Sequence, residues 1–160
     1  MRIAVLSDTH LRVGKTLPSF VWDHLTQIDL IIHAGDLTHM GLIEELACLA
    51  PVRAVRGNCD SWDVSLPDRD IIECEEFRIG LIHGDSGKGK STPDRAYNAF
   101  KEQAVDLIIF GHSHTPFMKW RDGIFMFNPG SPTDKRREPR YSFGILDIQQ
   151  GQLRANHMYF

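Results

Sequence analysis

The chain is short of cysteine, of long apolar runs and of basic charge. Only Cys48, Cys59 and Cys74 occur, an odd number at wide spacing with no C-x-x-C pair. That argues against a disulfide scaffold and a cysteine-rich structural zinc knot, and it suits a reducing compartment. No apolar stretch approaches the roughly 20 residues of a membrane-spanning helix. The opening Met-Arg-Ile-Ala-Val-Leu-Ser-Asp run is too short for a secretory signal, so the cytoplasm is the expected location. The formal net charge is -3, so no broad basic face is expected. This argues against a dedicated nucleic-acid binder, though not against a nucleotide substrate. There is no internal repeat and no low-complexity segment.

What is present is an ordinary globular balance, 42% hydrophobic and 24% charged, over 160 residues. Residues 1–160 are enough to bury a core and fit one domain. The eight histidines are the compositional excess, and their placement matters more than their number.

Short aliphatic runs at Ile3–Leu6, Leu30–Ile32, Val52–Val55, Arg78–Ile82 and Leu107–Phe110 read as buried strands. Helical patterns lie between them. Leu17–Thr26 is amphipathic, and Leu42, Ile43, Leu46 and Leu49 mark one face of a second helix. A third is signalled by Thr92 as N-cap and Pro93 at the first helical position. Alternating strand and helix predicts parallel pairing with right-handed crossovers. The last third changes character. Phe117–Arg121, Ile124–Asn128, Tyr141–Ile148 and Leu153–Tyr159 read as an antiparallel meander, with turns at Asp122-Gly123 and Gln150-Gly151. A mixed α/β protein of two packed sheets is the simplest assembly.

Each buried run ends in polar residues of one kind. The first is followed by Ser7-Asp8-Thr9-His10 and the second by His33-Ala34-Gly35-Asp36. The third leads to Arg56-Gly57-Asn58-Cys59-Asp60, the fourth to His83-Gly84-Asp85 and the fifth to Gly111-His112-Ser113-His114. The carboxyl ends of parallel strands line one crevice, so residues distant in sequence should meet there. Asp8, His10, Asp36, Asn58, His83, His112 and His114 then supply two carboxylates, one amide oxygen and four imidazoles. Oxygen and nitrogen donors suit divalent Mn, Fe, Zn, Co or Ni. Seven ligands are too many for one such ion and about right for two sharing a bridging carboxylate. Two divalent cations on two carboxylates leave a positive site that would deprotonate water and attract phosphate. Any one Asp-x-His or His-x-His alone is weak; the argument is the coincidence of strand ends.

In these blocks the chain resembles the calcineurin-like metallophosphoesterases, notably their small phosphodiesterase branch. The blocks are Asp8-Thr9-His10, Gly35-Asp36, Gly57-Asn58-Cys59-Asp60, His83-Gly84 and Gly111-His112-Ser113-His114. The resemblance implies a four-layer α/β/β/α sandwich of two mixed sheets flanked by helices. It implies one metal on Asp8, His10 and His114, a second on Asn58, His83 and His112, and Asp36 bridging them. Manganese is the first expectation for the metals. A metal-bridging hydroxide would attack a small phosphodiester in line, with Asn58 and His112 at the reacting phosphate. Asn128-Pro129-Gly130-Ser131 resembles the family's closing loop.

Two departures bear on substrate. Larger members carry a leaving-group histidine where this chain has Cys59, so Cys59 is a candidate general acid and a poor one. After Asp36 comes Leu37-Thr38-His39, without the Asp-Arg pair of the protein-phosphatase branch. The missing arginine removes a phosphate clamp and favours a phosphodiesterase. Asp60 is either an orienting group for a ligand or a solvated turn carboxylate.

Two rival classes exist. Gly84-Asp85-Ser86-Gly87-Lys88-Gly89-Lys90-Ser91 matches G-x-x-x-x-G-K-S, the phosphate loop of nucleotide-binding proteins. Pro93 disfavours helix at Thr92, so the helix would start too late to aim its N–H groups at phosphate. Lys88 and Lys90 remain as possible substrate contacts. The other rival is a non-catalytic protein-binding scaffold, because a retromer subunit of the same fold acts by protein contacts. Oligomeric state is not readable. His24, His33, His39 and His157 read as surface or core residues, with His39 nearest the site in sequence.

Overall fold

The aliphatic runs are strands, each within a residue of its expected bounds. In the computed structural model, which describes residues 1–61 and 64–160, the chain runs β1 (Arg2–Leu6), α1 (Ser19–His24), β2 (Leu30–His33), α2 (Gly41–Ala47), β3 (Val52–Ala54), β4 (Arg69–Cys74) and β5 (Phe77–Ile82). It continues through α3 (Thr92–Phe100), β6 (Leu107–Ile109), β7 (Phe117–Arg121), β8 (Ile124–Asn128), β9 (Ser142–Gln149) and β10 (Gln152–Tyr159). One five-stranded sheet has the order β10-β9-β1-β2-β3 and the other β4-β5-β6-β8-β7. The pairs β1–β2, β2–β3 and β5–β6 are parallel, each across a helix, as alternating strand and helix requires; β6 and β8 are parallel too, with β7 between them in the chain.

Strand alternation builds three apolar layers. Ile3, Val5 and Ile32 of the first sheet face Ile79, Leu81, Ile109 and Phe127 of the second, all fully buried. The opposite faces of the first sheet, Ala4, Leu6 and Ile31, pack on Val21 of α1 and on Leu42 and Leu46 of α2. Ile108 and Met126 of the second sheet pack on Ala96 and Phe100 of α3. The result is the expected α/β/β/α arrangement. No helix among the described residues is long and apolar enough to cross a membrane.

Three expectations need correction. The four C-terminal strands are not one meander. The β7–β8 hairpin closes the second sheet, whereas β9–β10 returns to the first, where β9 pairs antiparallel with β1. Both hairpins do turn at the expected dipeptides, with Asp122-Gly123 and Gln150-Gly151 all at positive φ. The second correction is β4, a strand beyond those the sequence predicts. It is an edge strand, Arg-Asp-Ile-Ile-Glu-Cys, and only Ile72 and Cys74 of it are buried, so charge masks its alternation. The third is the start of α3. Ser91, not Thr92, is the N-cap: its hydroxyl accepts from the Asp94 N–H at 3.3 Å, and the Asp94 carboxylate accepts from the Ser91 N–H at 3.2 Å. A reciprocal capping box outcompetes a cap at Thr92, whose side chain is buried instead. The box also sets a carboxylate where a phosphate loop needs its anion, which disposes of the nucleotide-loop reading.

Candidate functional site

Seven side chains converge where the two sheets' parallel strands end. Asp8 and His10 follow β1, Asp36 follows β2 and Asn58 follows β3; His83 follows β5, and His112 and His114 follow β6. The first sheet thus supplies four of these residues and the second sheet three. Asp8, His10, Asp36, His112 and His114 all have φ between 44° and 64°, the left-handed region that side chains avoid. Five such residues at one place mark a point where geometry has overridden backbone preference.

Close approach needs two glycines. A Cβ on Gly57 would lie 2.2 Å from Asp36 Oδ1, and one on Gly111 would lie 2.9 Å from Asp8 Oδ2. Only a bare backbone fits at either place.

Two groups of donors meet at Asp36. In one, Asp8, His10 and His114 point ligand atoms at a common space. His114 Nε2 is 3.5 Å from Asp8 Oδ1 and 3.2 Å from His10 Nε2, which is 3.5 Å from Asp36 Oδ2. In the other, Asn58 Oδ1 lies 3.2 Å from His83 Nε2 and 3.0 Å from His112 Nδ1. His83 Nε2 is also 3.4 Å from Asp36 Oδ2. Asp36 therefore touches both groups.

Neighbouring backbone fixes two of the four imidazoles. His83 donates from Nδ1 to the Ala34 carbonyl at 2.8 Å, and His114 donates from Nδ1 to the Asp134 carbonyl. Both then present the Nε2 lone pair inward. At His83 this creates a conflict. A neutral Nε2, Asn58 Oδ1 and Asp36 Oδ2 are all acceptors, and none brings a proton. A bound cation resolves the conflict; without one, a proton on His83 must do so. Burial pushes His83 down, but the hydrogen bond to Asp36 and the charges of Asp8 and Asp36 outweigh it and lift it to about 9. Burial likewise pushes Asp36 up, but His83 and the Cys59 N–H, 2.7 Å away, hold it well below the usual carboxylate range. Burial raises Asp8 to about 7, despite His83 and a 2.7 Å hydrogen bond from Ser7. Buried carboxylates and lone pairs aimed at each other fit divalent cations bound by nitrogen and oxygen.

Residues outside the seven hold them in place. The Asp60 carboxylate accepts from the N–H groups of Asp36 (3.0 Å), Gly57 (2.8 Å) and Thr38 (2.6 Å). It is an orienting group, not a solvated turn carboxylate. His33 is fully buried and bridges two loops of the site, accepting from Gly35 N–H and donating from Nε2 to Thr9 Oγ1 at 3.1 Å. Burial drives it down to about 3 and keeps it neutral. The Asn128–Ser131 loop closes one side. Ser131 Oγ donates to the Asp8 carbonyl at 2.8 Å, and Asn128 Nδ2 donates to the Gly111 carbonyl at 2.8 Å. The Asp134 carbonyl and Thr133, whose hydroxyl donates to the Thr9 carbonyl, went unread in the sequence. Such contacts with backbone leave no residue pattern to find.

Cys59 sits at the rim, its thiol 3.4 Å from Asn58 Nδ2 and grouped with His10 and Asp36. Burial and the adjacent Asp36 carboxylate push it up to about 11. His39 joins no ligand group; its buried Nε2 has no partner among the described residues. His24 packs beside Phe20 and His157 beside Phe127, where His157 Nε2 donates to the Asn128 carbonyl at 2.7 Å; neither joins a ligand group among the described residues.

A family model for the calcineurin-like phosphoesterase superfamily domain matches residues 1–151. A probable metallophosphoesterase of Methanocaldococcus jannaschii is 42% identical over 137 residues, 85% of this chain and 70% of that protein. The phosphodiesterase YfcE of Escherichia coli is 33% identical over 104 residues, 60% of this chain and 52% of that one. Among solved structures, a single mutant of Vps29 from Entamoeba histolytica superposes with a TM-score of 0.81 at 25% identity, covering 100% of this chain and 99% of the other. With this match across nearly its whole length, the chain belongs to the calcineurin-like phosphoesterase superfamily.

Proposed function

We propose that this protein is a phosphodiesterase that works with two divalent metal ions, manganese foremost, and cleaves small phosphodiesters. The observation that carries the proposal is the meeting of inward-facing acceptors at Asp36, which two cations would satisfy together. In this reading Asp8, His10 and His114 hold one ion, Asn58, His83 and His112 hold the other, and Asp36 bridges them. When bound, such a pair supplies positive charge that activates water and neutralises the phosphate oxygens.

The chain's own groups set the rest. The hydrogen bonds from His83 and His114 to backbone carbonyls keep their Nε2 atoms aimed inward before any ligand arrives, so little reorganisation is needed. Of the seven, Asn58 is exposed and His10 and His112 are half-buried; Asn58 and His112 stand where a phosphate would enter. Cys59 is the ionisable group at the rim in the position of a leaving-group acid. A thiol pushed to about 11 keeps its proton at neutral pH but gives it up poorly. Substrates with good leaving groups should therefore react faster. The probable metallophosphoesterase and the phosphodiesterase named above agree in kind with this reading. The likeness to Vps29 motivates the alternative of a protein-binding scaffold.

The test is to strip the protein with chelator, add back Mn²⁺, and assay bis(p-nitrophenyl) phosphate beside p-nitrophenyl phosphate, with Asp36→Asn as control. Metal-dependent hydrolysis of the diester above the monoester, lost in the variant, is the expected result. No turnover of either ester with any of Mn, Fe, Zn, Co or Ni would favour the scaffold.

A further inference from the structure

Beside the ligand loop lies a cleft of about 390 Å³, between the end of β3, the start of β4 and the end of β5. That is room for one small organic group. Asn58 lines it, and so does Asp85, whose charge is felt at His112. A group in this cleft is thus continuous with a phosphate held at Asn58 and His112.

Several wall residues are already committed. Asp60 accepts from three backbone N–H groups. Arg56 is paired with Asp68, Nη2 to Oδ1 at 2.8 Å. Three exposed groups remain without a hydrogen-bond or ion-pair partner among the described residues: the Arg69 guanidinium, the Asp85 carboxylate and the Ser86 hydroxyl. Ile82 is the one large apolar residue among the described lining, so a lipid chain would find little to bury against.

The free charges are of opposite sign, which narrows the ligand. A second phosphate would meet Asp85, and a quaternary ammonium would meet Arg69. A neutral group with several hydroxyls satisfies both, because it donates to the carboxylate and accepts from the guanidinium. We infer that the cleft binds one esterified alcohol of the phosphodiester, and that this alcohol is a polyol of the glycerol or sugar class. The inference rests on the phosphodiesterase reading of the adjacent site.

The test uses the Mn²⁺-loaded protein and two diesters that share a p-nitrophenyl leaving group, one with a glyceryl arm and one with a methyl arm. The glyceryl ester should have a kcat/KM about tenfold higher or more, carried by KM, as binding unchanged between ground and transition state requires. Arg69→Ala and Asp85→Ala should each bring the ratio of the two esters to within about threefold of one, the loss expected when a hydrogen bond to a charged group is removed. Thermal midpoints of both variants check their folding. Turnover of both esters with equal kcat/KM, or a preference that survives both substitutions, would overturn the cleft assignment and leave the phosphodiesterase standing. Turnover of neither ester would overturn both.

Discussion

Asp60→Ala removes the one acceptor shared by three backbone N–H groups in two ligand loops. A net hydrogen bond to a charged group is worth about 1.5–3 kcal/mol. Three would exceed 4 kcal/mol if additive, but the bonds share one carboxylate and water can enter a half-buried site, so a loss of about 2–4 kcal/mol is expected. The second effect falls on metal binding. Asp36 receives one of the three bonds, and Gly57 precedes Asn58, so both proposed ligands should lose their fixed orientation. Removing an orienting partner of this kind weakens metal affinity by about 10–100-fold, equal to about 1.4–2.7 kcal/mol. Asp60→Asn should fall between, because an amide oxygen at the Oδ2 position keeps the bonds to Asp36 and Gly57 and loses only that to Thr38. Urea unfolding in chelator reads the first effect, and the Mn²⁺ concentration at half-maximal diester hydrolysis reads the second. If Asp60→Ala kept the wild-type unfolding midpoint and a half-saturating Mn²⁺ within twofold, Asp60 would be the solvated turn carboxylate after all.

Two further outcomes follow from single side chains. His33 is held neutral at about 3, below its ordinary 6.5. Its contribution to stability is therefore complete above 6.5 and lost as pH falls from there toward 3, at about 1.4 kcal/mol per pH unit. The stability difference between wild type and His33→Gln, measured by urea unfolding in chelator, should shrink from pH 7 to pH 5; a constant difference would mean His33 does not titrate out of its buried site. Cys59→His should speed alkyl diesters by about 100-fold, the lower end of general-acid help, and barely change p-nitrophenyl esters. Equal gains on both would show that leaving-group protonation does not limit this site.

The strands and the seven converging side chains were legible because burial and chemistry wrote themselves into adjacent residues. Ile3–Leu6 is apolar on both faces of a central strand, and the polar residues after it have no place in a core. What stayed hidden depends on partners distant in sequence. Nothing in Ser142–Gln149 says that it pairs with β1 and not with β8, since both neighbours offer an equally buried face. The edge strand β4 was lost to its own charged residues. The capping box moved the start of α3 by one residue because Ser91 and Thr92 are both good caps and only geometry chooses between them. Asp60 was readable as a candidate, but the three N–H groups that settle its role lie in loops up to 24 residues away.

The split of the seven side chains between the sheets has a consequence for how the chain reaches its native state. Asp8 and His114 are 3.5 Å apart in space and more than a hundred residues apart along the chain. The site does not exist until the first sheet has docked on the second, and a partly folded chain with one finished sheet offers at most four of the seven side chains. Any ion that prefers the complete site therefore stabilises only the finished fold, by the logarithm of its concentration over its dissociation constant. Ion binding is thereby coupled to the docking of the two sheets, and parting the sheets costs the ion its site. Protection of β1 and β6 amides against exchange with solvent should then rise together when metal is added, although they lie in different sheets.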